Sequence, residues 1–171
     1  MNIFITDLNP VISAQSLCDK RTKHMPKEYL ELLTIYIHSL TGIFVIPFPL
    51  WGDERRSEPT FLYNHPISKW VRKDKVNVWW LYQHTLALFE EHKYRFNEVN
   101  PVEHFLEKIT PFISESKQQP KTFQNSSLYK NLPIVEAYRA TMINKWTVTD
   151  KVRPIKFTKR GSPKWFKQEN I

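Results

Sequence analysis

The chain has 171 residues, 41% of them apolar, including 6 Trp, 7 Tyr and 11 Phe, which suits one folded domain with a core and excludes general disorder. Lys and Arg number 25 against 17 Asp and Glu, a net charge of +8, and the single cysteine, Cys18, excludes an internal disulfide. No basic start followed by an apolar run opens the chain, and the most apolar stretch, 42–51, is short and contains Pro47 and Pro49. A cytosolic protein without a membrane span is therefore expected.

Ile3-Phe4-Ile5 reads as a very short strand or an extended arm, and Asn9-Pro10 as a turn. Residues 10–24 read as a first helix, with Val11, Ala14, Leu17 and Cys18 at helical spacing. Pro26 opens a second, where Tyr29, Leu33, Tyr36 and Leu40 repeat until Gly42 stops it. The Pro-rich, charged stretch 43–64 reads as an irregular excursion, a lid or a plain connection. From Pro66 a helical pattern runs to Phe96 with a break near Asp74. Its middle, Val78-Trp79-Trp80-Leu81-Tyr82, is apolar on nearly every side, as in a helix at the centre of a bundle. Pro101 begins a helix with Val102, Phe105, Leu106 and Ile109; 114–131 is a long polar loop; Pro133 opens a helix with Val135, Ala137, Tyr138 and Met142. A basic, aromatic tail, 151–171, closes the chain. Strand-like alternation is scarce, so the expected fold is mainly α: a single-domain helical bundle with irregular loops.

The positive charge is segregated. Residues 151–171 carry +6, 20–27 carry +4 and 69–75 carry +3, which leaves −5 on the rest. Such clustering points to a polyanionic partner or to a solvated basic surface. Three glycines cannot build a phosphate loop or a dinucleotide fingerprint. No G-x-S-x-G or H-E-x-x-H occurs, Cys18 lacks the surroundings of a catalytic thiol, and neither a metal nor a cofactor is expected.

Three segments carry candidate chemistry. In Asp19-Lys20-Arg21-Thr22-Lys23-His24-Met25-Pro26-Lys27-Glu28, an acid and an imidazole lie beside cations. The cations Lys20, Arg21 and Lys23 would hold phosphate while Glu28 or His24 moves a proton; an exposed charged turn is the plainer alternative. His65-Pro66 places an imidazole at the positive end of a helix, where it stays neutral, with Trp70, Arg72 and Lys73 following. In the tail, Arg160, Lys164, Trp165 and Lys167 interleave cations with a ring, the mixture that stacks on bases and neutralises phosphates, although the aromatics could equally clamp the tail to the core.

Cys18-Asp19-Lys20-Arg21 with Met25 and Glu28, Asn64-His65-Pro66 with Trp70, Arg72, Asn77, Trp79 and Leu81, Tyr94-Arg95-Phe96, Val135-Glu136-Ala137-Tyr138-Arg139 and Pro163 with Trp165-Phe166 together resemble a family of small phage and bacterial proteins, distantly similar to the phage pyrimidine-dimer DNA glycosylases. The resemblance implies a DNA-acting protein of base excision type. A primary amine attacks the sugar C1′, a Schiff base forms, and a glutamate, here Glu28, assists strand cleavage on a displaced nucleotide. The amine would be that of Met1, which the bulky Asn2 should leave in place, or of Lys20. The expected partner is duplex DNA, damaged or modified. The alternative is a non-catalytic DNA-binding or host-inhibiting protein, with a host protein as partner.

Overall fold

A computed structural model of the protein describes residues 2–50, 59–120, 129, 131–149 and 155–166. Ile3, Phe4 and Ile5 form an extended arm, each side chain wholly buried. Asn9 ends it and caps α1 (Pro10–Gln15), its side-chain oxygen accepting the Val11 and Ile12 N–H groups. The helix read over 10–24 stops here, and the reason comes from far along the chain. The Arg95 guanidinium donates to the carbonyls of Gln15 and Leu17 at 3.0 and 2.7 Å. The Asp19 N–H, which a continuing helix would give to Gln15, goes instead to the Lys156 carbonyl at 2.9 Å.

The second helix, α2, runs from Asp19 to Thr41. Pro26, expected to open a helix, lies inside it, where the missing N–H leaves one rung of the ladder unmade. The ring is buried among Met25, Tyr29 and Leu30, and that burial offsets the cost. Gly42 stops α2 as expected, in the left-handed conformation (φ 73°) with its N–H on the His38 carbonyl.

The excursion at 43–64 is irregular over 43–50 but ends in a helix the Pro-rich composition hid, α3 (Pro59–Asn64); residues 51–58 of that stretch lie outside the described ones. The helix from Pro66 breaks at Asp74 as the pattern predicts, giving α4 (Pro66–Lys73) and α5 (Lys75–Phe96). Asp74 is extended, and its carboxylate caps α5 by accepting the Val76 N–H. Residues 101–112 do not make the single helix expected. A 3-10 turn (Glu103–Phe105), α6 (Leu106–Ile109) and a second 3-10 turn (Thr110–Phe112) follow one another. Pro111 has no N–H to continue the ladder, and the Thr110 hydroxyl is drawn to Tyr82 at 2.9 Å. Of the polar loop read at 114–131, residues 121–128 and 130 lie outside the described ones. After it, α7 (Ile134–Asn144) starts at Pro133 and runs into a π-turn, Lys145–Thr149.

The described residues contain seven α-helices and no strand, a mainly helical single domain. The longest helices, α2 and α5, pack on each other; α1 lies on α5, and α4 against both. Val78, Trp80 and Leu81 of α5 are buried together with Trp70, Tyr29, Leu33 and Tyr138, each large apolar side chain contributing about 1.5–3 kcal/mol. Among the described residues no helix is long and apolar enough to cross a membrane.

Candidate functional site

Because α2 continues through Pro26, Lys20, His24 and Glu28 repeat at one-turn intervals on one face, and Glu31 extends the row. The Glu28 carboxylate accepts the Asn2 N–H at 2.9 Å, so it meets the first residues of the N-terminal arm. One residue on, the Tyr29 hydroxyl accepts the Phe4 N–H at 3.2 Å. Two side chains of one helical turn thus hold the arm. Arg21 lies over the Phe4 ring, 5.4 Å from guanidinium carbon to centroid, and Lys23 over Phe96 at 4.2 Å.

The electrostatics of this face are unbalanced towards cations. His24 is held below the ordinary imidazole value first by partial burial and then by Lys20 and Arg21, with Glu28 pulling the other way. It is therefore neutral at pH 7 and able to accept a proton. His65 caps α4, its Nδ1 accepting the Ile67 N–H at 3.3 Å, so that nitrogen carries no proton. Burial first, and second the positive charge at the amino end of the chain, lower the His65 pKa.

The other residues singled out in the sequence are placed differently. Arg72 turns back on its own segment: its guanidinium donates to the carbonyls of Ser68 and Tyr63 and lies 4.7 Å from the Tyr63 ring centroid. Lys73 and Lys164 are exposed. Arg160 grips Glu91 with two parallel bonds of 2.9 Å, and Trp165 stacks on Trp146 at 5.5 Å. For Trp165 the clamping alternative describes what is seen, and Arg160 is held to α5 by an ion pair that the sequence reading did not offer. Lys167 lies outside the described residues.

Among the buried polar groups that the sequence did not single out are Glu31 and His84. Glu31 is 0% exposed and accepts the Leu50 N–H at 2.9 Å; its place on the polar row 20, 24, 28, 31 was the available signal. His84 on α5 is also fully buried, against the rings of Tyr29 and Trp80, and burial drives its pKa down to about 3. Among the described residues no group of three or more His, Cys, Asp or Glu could hold a metal. No protein-family model matches the chain, and neither a curated protein nor a solved structure matches it.

Proposed function

We propose that this protein acts on DNA as a glycosylase and abasic-site lyase or a related base-processing enzyme, with Lys20, Arg21, His24 and Glu28 of α2 as the reacting face and His65 at its border. The observation that carries the reading is the position of Glu28: a carboxylate fixed against the N-terminal arm, one helical turn from an imidazole that burial, Lys20 and Arg21 keep neutral. Such cations suit the phosphates on either side of a target nucleotide, and the carboxylate suits proton transfer next to them.

In the reaction, an amine nitrogen bonds to C1′ as the C1′–base bond breaks, and the base leaves with the bonding pair and takes up a proton. The amine loses a proton, the C1′–O4′ bond breaks as O4′ takes up a proton, and the C1′–nitrogen bond becomes the double bond of the protonated imine. Glu28 then removes a C2′ proton, and the C3′–oxygen bond breaks to open the strand. The amine is that of Lys20 or of Met1, the latter outside the described residues.

Duplexes carrying a pyrimidine dimer, an abasic site or a modified base, incubated with the protein and then borohydride, should yield a covalent adduct, and peptide mapping should place it on Lys20 or on the amino end. Glu28→Gln, which can still accept the Asn2 N–H, should cut strand opening by about 10²-fold or more. Neither adduct nor strand break with any of these duplexes would exclude the chemistry. The non-catalytic reading, DNA binding or host inhibition by basic faces, draws on the exposed Lys69, Lys73 and Lys75; it predicts that Glu28→Gln changes nothing.

A further inference from the structure

One histidine of the core packs without a hydrogen bond. His84, midway along α5, is 0% exposed, and neither its Nδ1 nor its Nε2 meets a partner among the described residues. Both nitrogens have therefore been taken out of water with nothing in exchange. The rings of Tyr29 on α2 and Trp80, one turn back on α5, lie against it with centroids at 5.3 and 4.6 Å. Each of these rings holds the N-terminal arm by its polar end. The Tyr29 hydroxyl accepts the Phe4 N–H at 3.2 Å, and the Trp80 Nε1–H donates to the Leu8 carbonyl at 2.8 Å.

The arm is held by side chains, not by a ladder. Among the described residues no backbone-to-backbone hydrogen bond holds residues 3–8. The Ser13 hydroxyl donates to the Phe4 carbonyl and accepts the Thr6 N–H, and Arg139 Nε donates to the Thr6 carbonyl. The arm can thus leave without unwinding a helix. No charge faces His84. From α2 the titratable group against it is the Tyr29 phenol, which in turn acts on the Tyr138 phenol of α7. Glu28 and Glu31 of the same helix accept from Asn2 and Leu50. The helix α1 has no charged residue, and on α4 Arg72 is bound to Tyr63 while Lys69 and Lys73 are exposed. Within α5 the residues one turn from it are Trp80, Leu81, Ala87 and Leu88. Burial alone pushes the His84 pKa down from 6.5 to about 3.

We propose that His84 is an acid-operated latch on the N-terminal arm. The neutral ring packs against Tyr29 and Trp80 and leaves both in place to hold residues 4 and 8. An imidazolium in the same position would have neither water nor an acceptor, so taking up a proton goes with displacement of the two rings, release of residues 3–8 and solvation of His84. Its value is lower in the packed form than in the open one. Docking is therefore fully supported above about pH 6.5 and weakens as the pH falls from there towards 3. Release also parts Phe4 from the Arg21 guanidinium and Asn2 from Glu28, which lose these contacts in acid. The latch stands on the packing of α2, α5 and the arm and does not depend on the DNA reading.

The test is amide hydrogen exchange of the full chain at about pH 7 and pH 5, above the range in which the Asp19 and Glu91 carboxylates take up protons, with rates corrected for intrinsic exchange. The opening constant at the Phe4 and Thr6 amides should rise about 25-fold between the two. At the lower pH it should exceed that of the Leu88 amide of α5 by about tenfold or more. His84→Phe, which keeps a ring, and His84→Gln should each change less than about twofold, with circular dichroism checking that they fold. Glutamine in place of each of the other five histidines, one at a time, should retain the rise, and this series carries the decision where neither His84 variant folds. No rise in the wild type, a rise that persists in a folded His84 variant, or one lost with another histidine overturns the latch. Equal opening at Phe4 and Leu88 overturns it too, since acid would then act by unfolding the whole domain.

Discussion

Two charged regions of this protein use the same kinds of residue to opposite ends. Around Arg95 of α5, the buried charges are paired. Arg95, buried, donates to Glu91 at 2.7 Å and to Asp19 at 3.1 Å; Arg160 takes Glu91 from the other side; Thr158 gives Asp19 both its N–H and its hydroxyl, at 2.9 and 2.7 Å. On the α2 face, Lys20, Arg21 and Lys23 outnumber Glu28. Burial would raise the Asp19 and Glu91 carboxyls, but their hydrogen bonds and guanidinium partners outweigh it and hold both below the usual value. For His24, burial and neighbouring cations act together to keep the ring neutral. A hydrogen-bonded buried cluster fixes shape, while a half-exposed cluster rich in cations presents a positive potential to a ligand.

The contrast can be broken most forcefully at Arg95. Arg95→Met fills the volume but leaves Glu91 and Asp19 short of a partner and the carbonyls of Gln15 and Leu17 without a donor. Urea unfolding should show a loss of about 3–5 kcal/mol; a loss below about 1 kcal/mol would mean that water satisfies these groups.

Acid should open the same region. Asp19 and Glu91 have depressed pKa values in the folded state, so their contribution is complete above the unfolded carboxylate value near pH ~4 and is lost as pH falls through the lower folded values. Unfolding free energy should drop steeply from about pH 4 downward, and the drop should flatten in Glu91→Gln.

A smaller effect separates the two regions by salt. If Lys20 meets phosphate, Lys20→Ala should reduce the slope of log affinity for DNA against log salt by about 1, whereas Arg160→Gln should leave it unchanged because Arg160 is committed to Glu91. Equal slopes in both variants would place the DNA elsewhere.

Much of the fold could be read along the chain because it is written locally. The ring-rich centre of α5, the Asp74 break and the Gly42 stop depend on neighbours within a turn or two. The split between α1 and α2 could not be read, since it depends on Arg95 and Lys156 reaching back to residues 15–19. The same is true of the tail. Its cations and rings look free in sequence, but Glu91 and Trp146 claim Arg160 and Trp165. At the candidate site, the one-turn spacing of Lys20 and His24 was legible, while the continuation of α2 through Pro26 that aligns Glu28 with them, and the Asn2 contact that locates Glu28, were not. The surroundings of His84 escaped notice because only the packing of α2 on α5 brings Tyr29 against it.

The junction around Arg95 also sets an order of events. It ties residues 15–19 to 91–95 and both to 156–160, so neither Asp19 nor Glu91 has all its partners until residues 158 and 160 have left the ribosome. A nascent chain of 150 residues would hold Glu91 and Asp19 each with one partner missing. The helices can form during synthesis, but the finished packing of α1, α2 and α5 waits for residues 156–160.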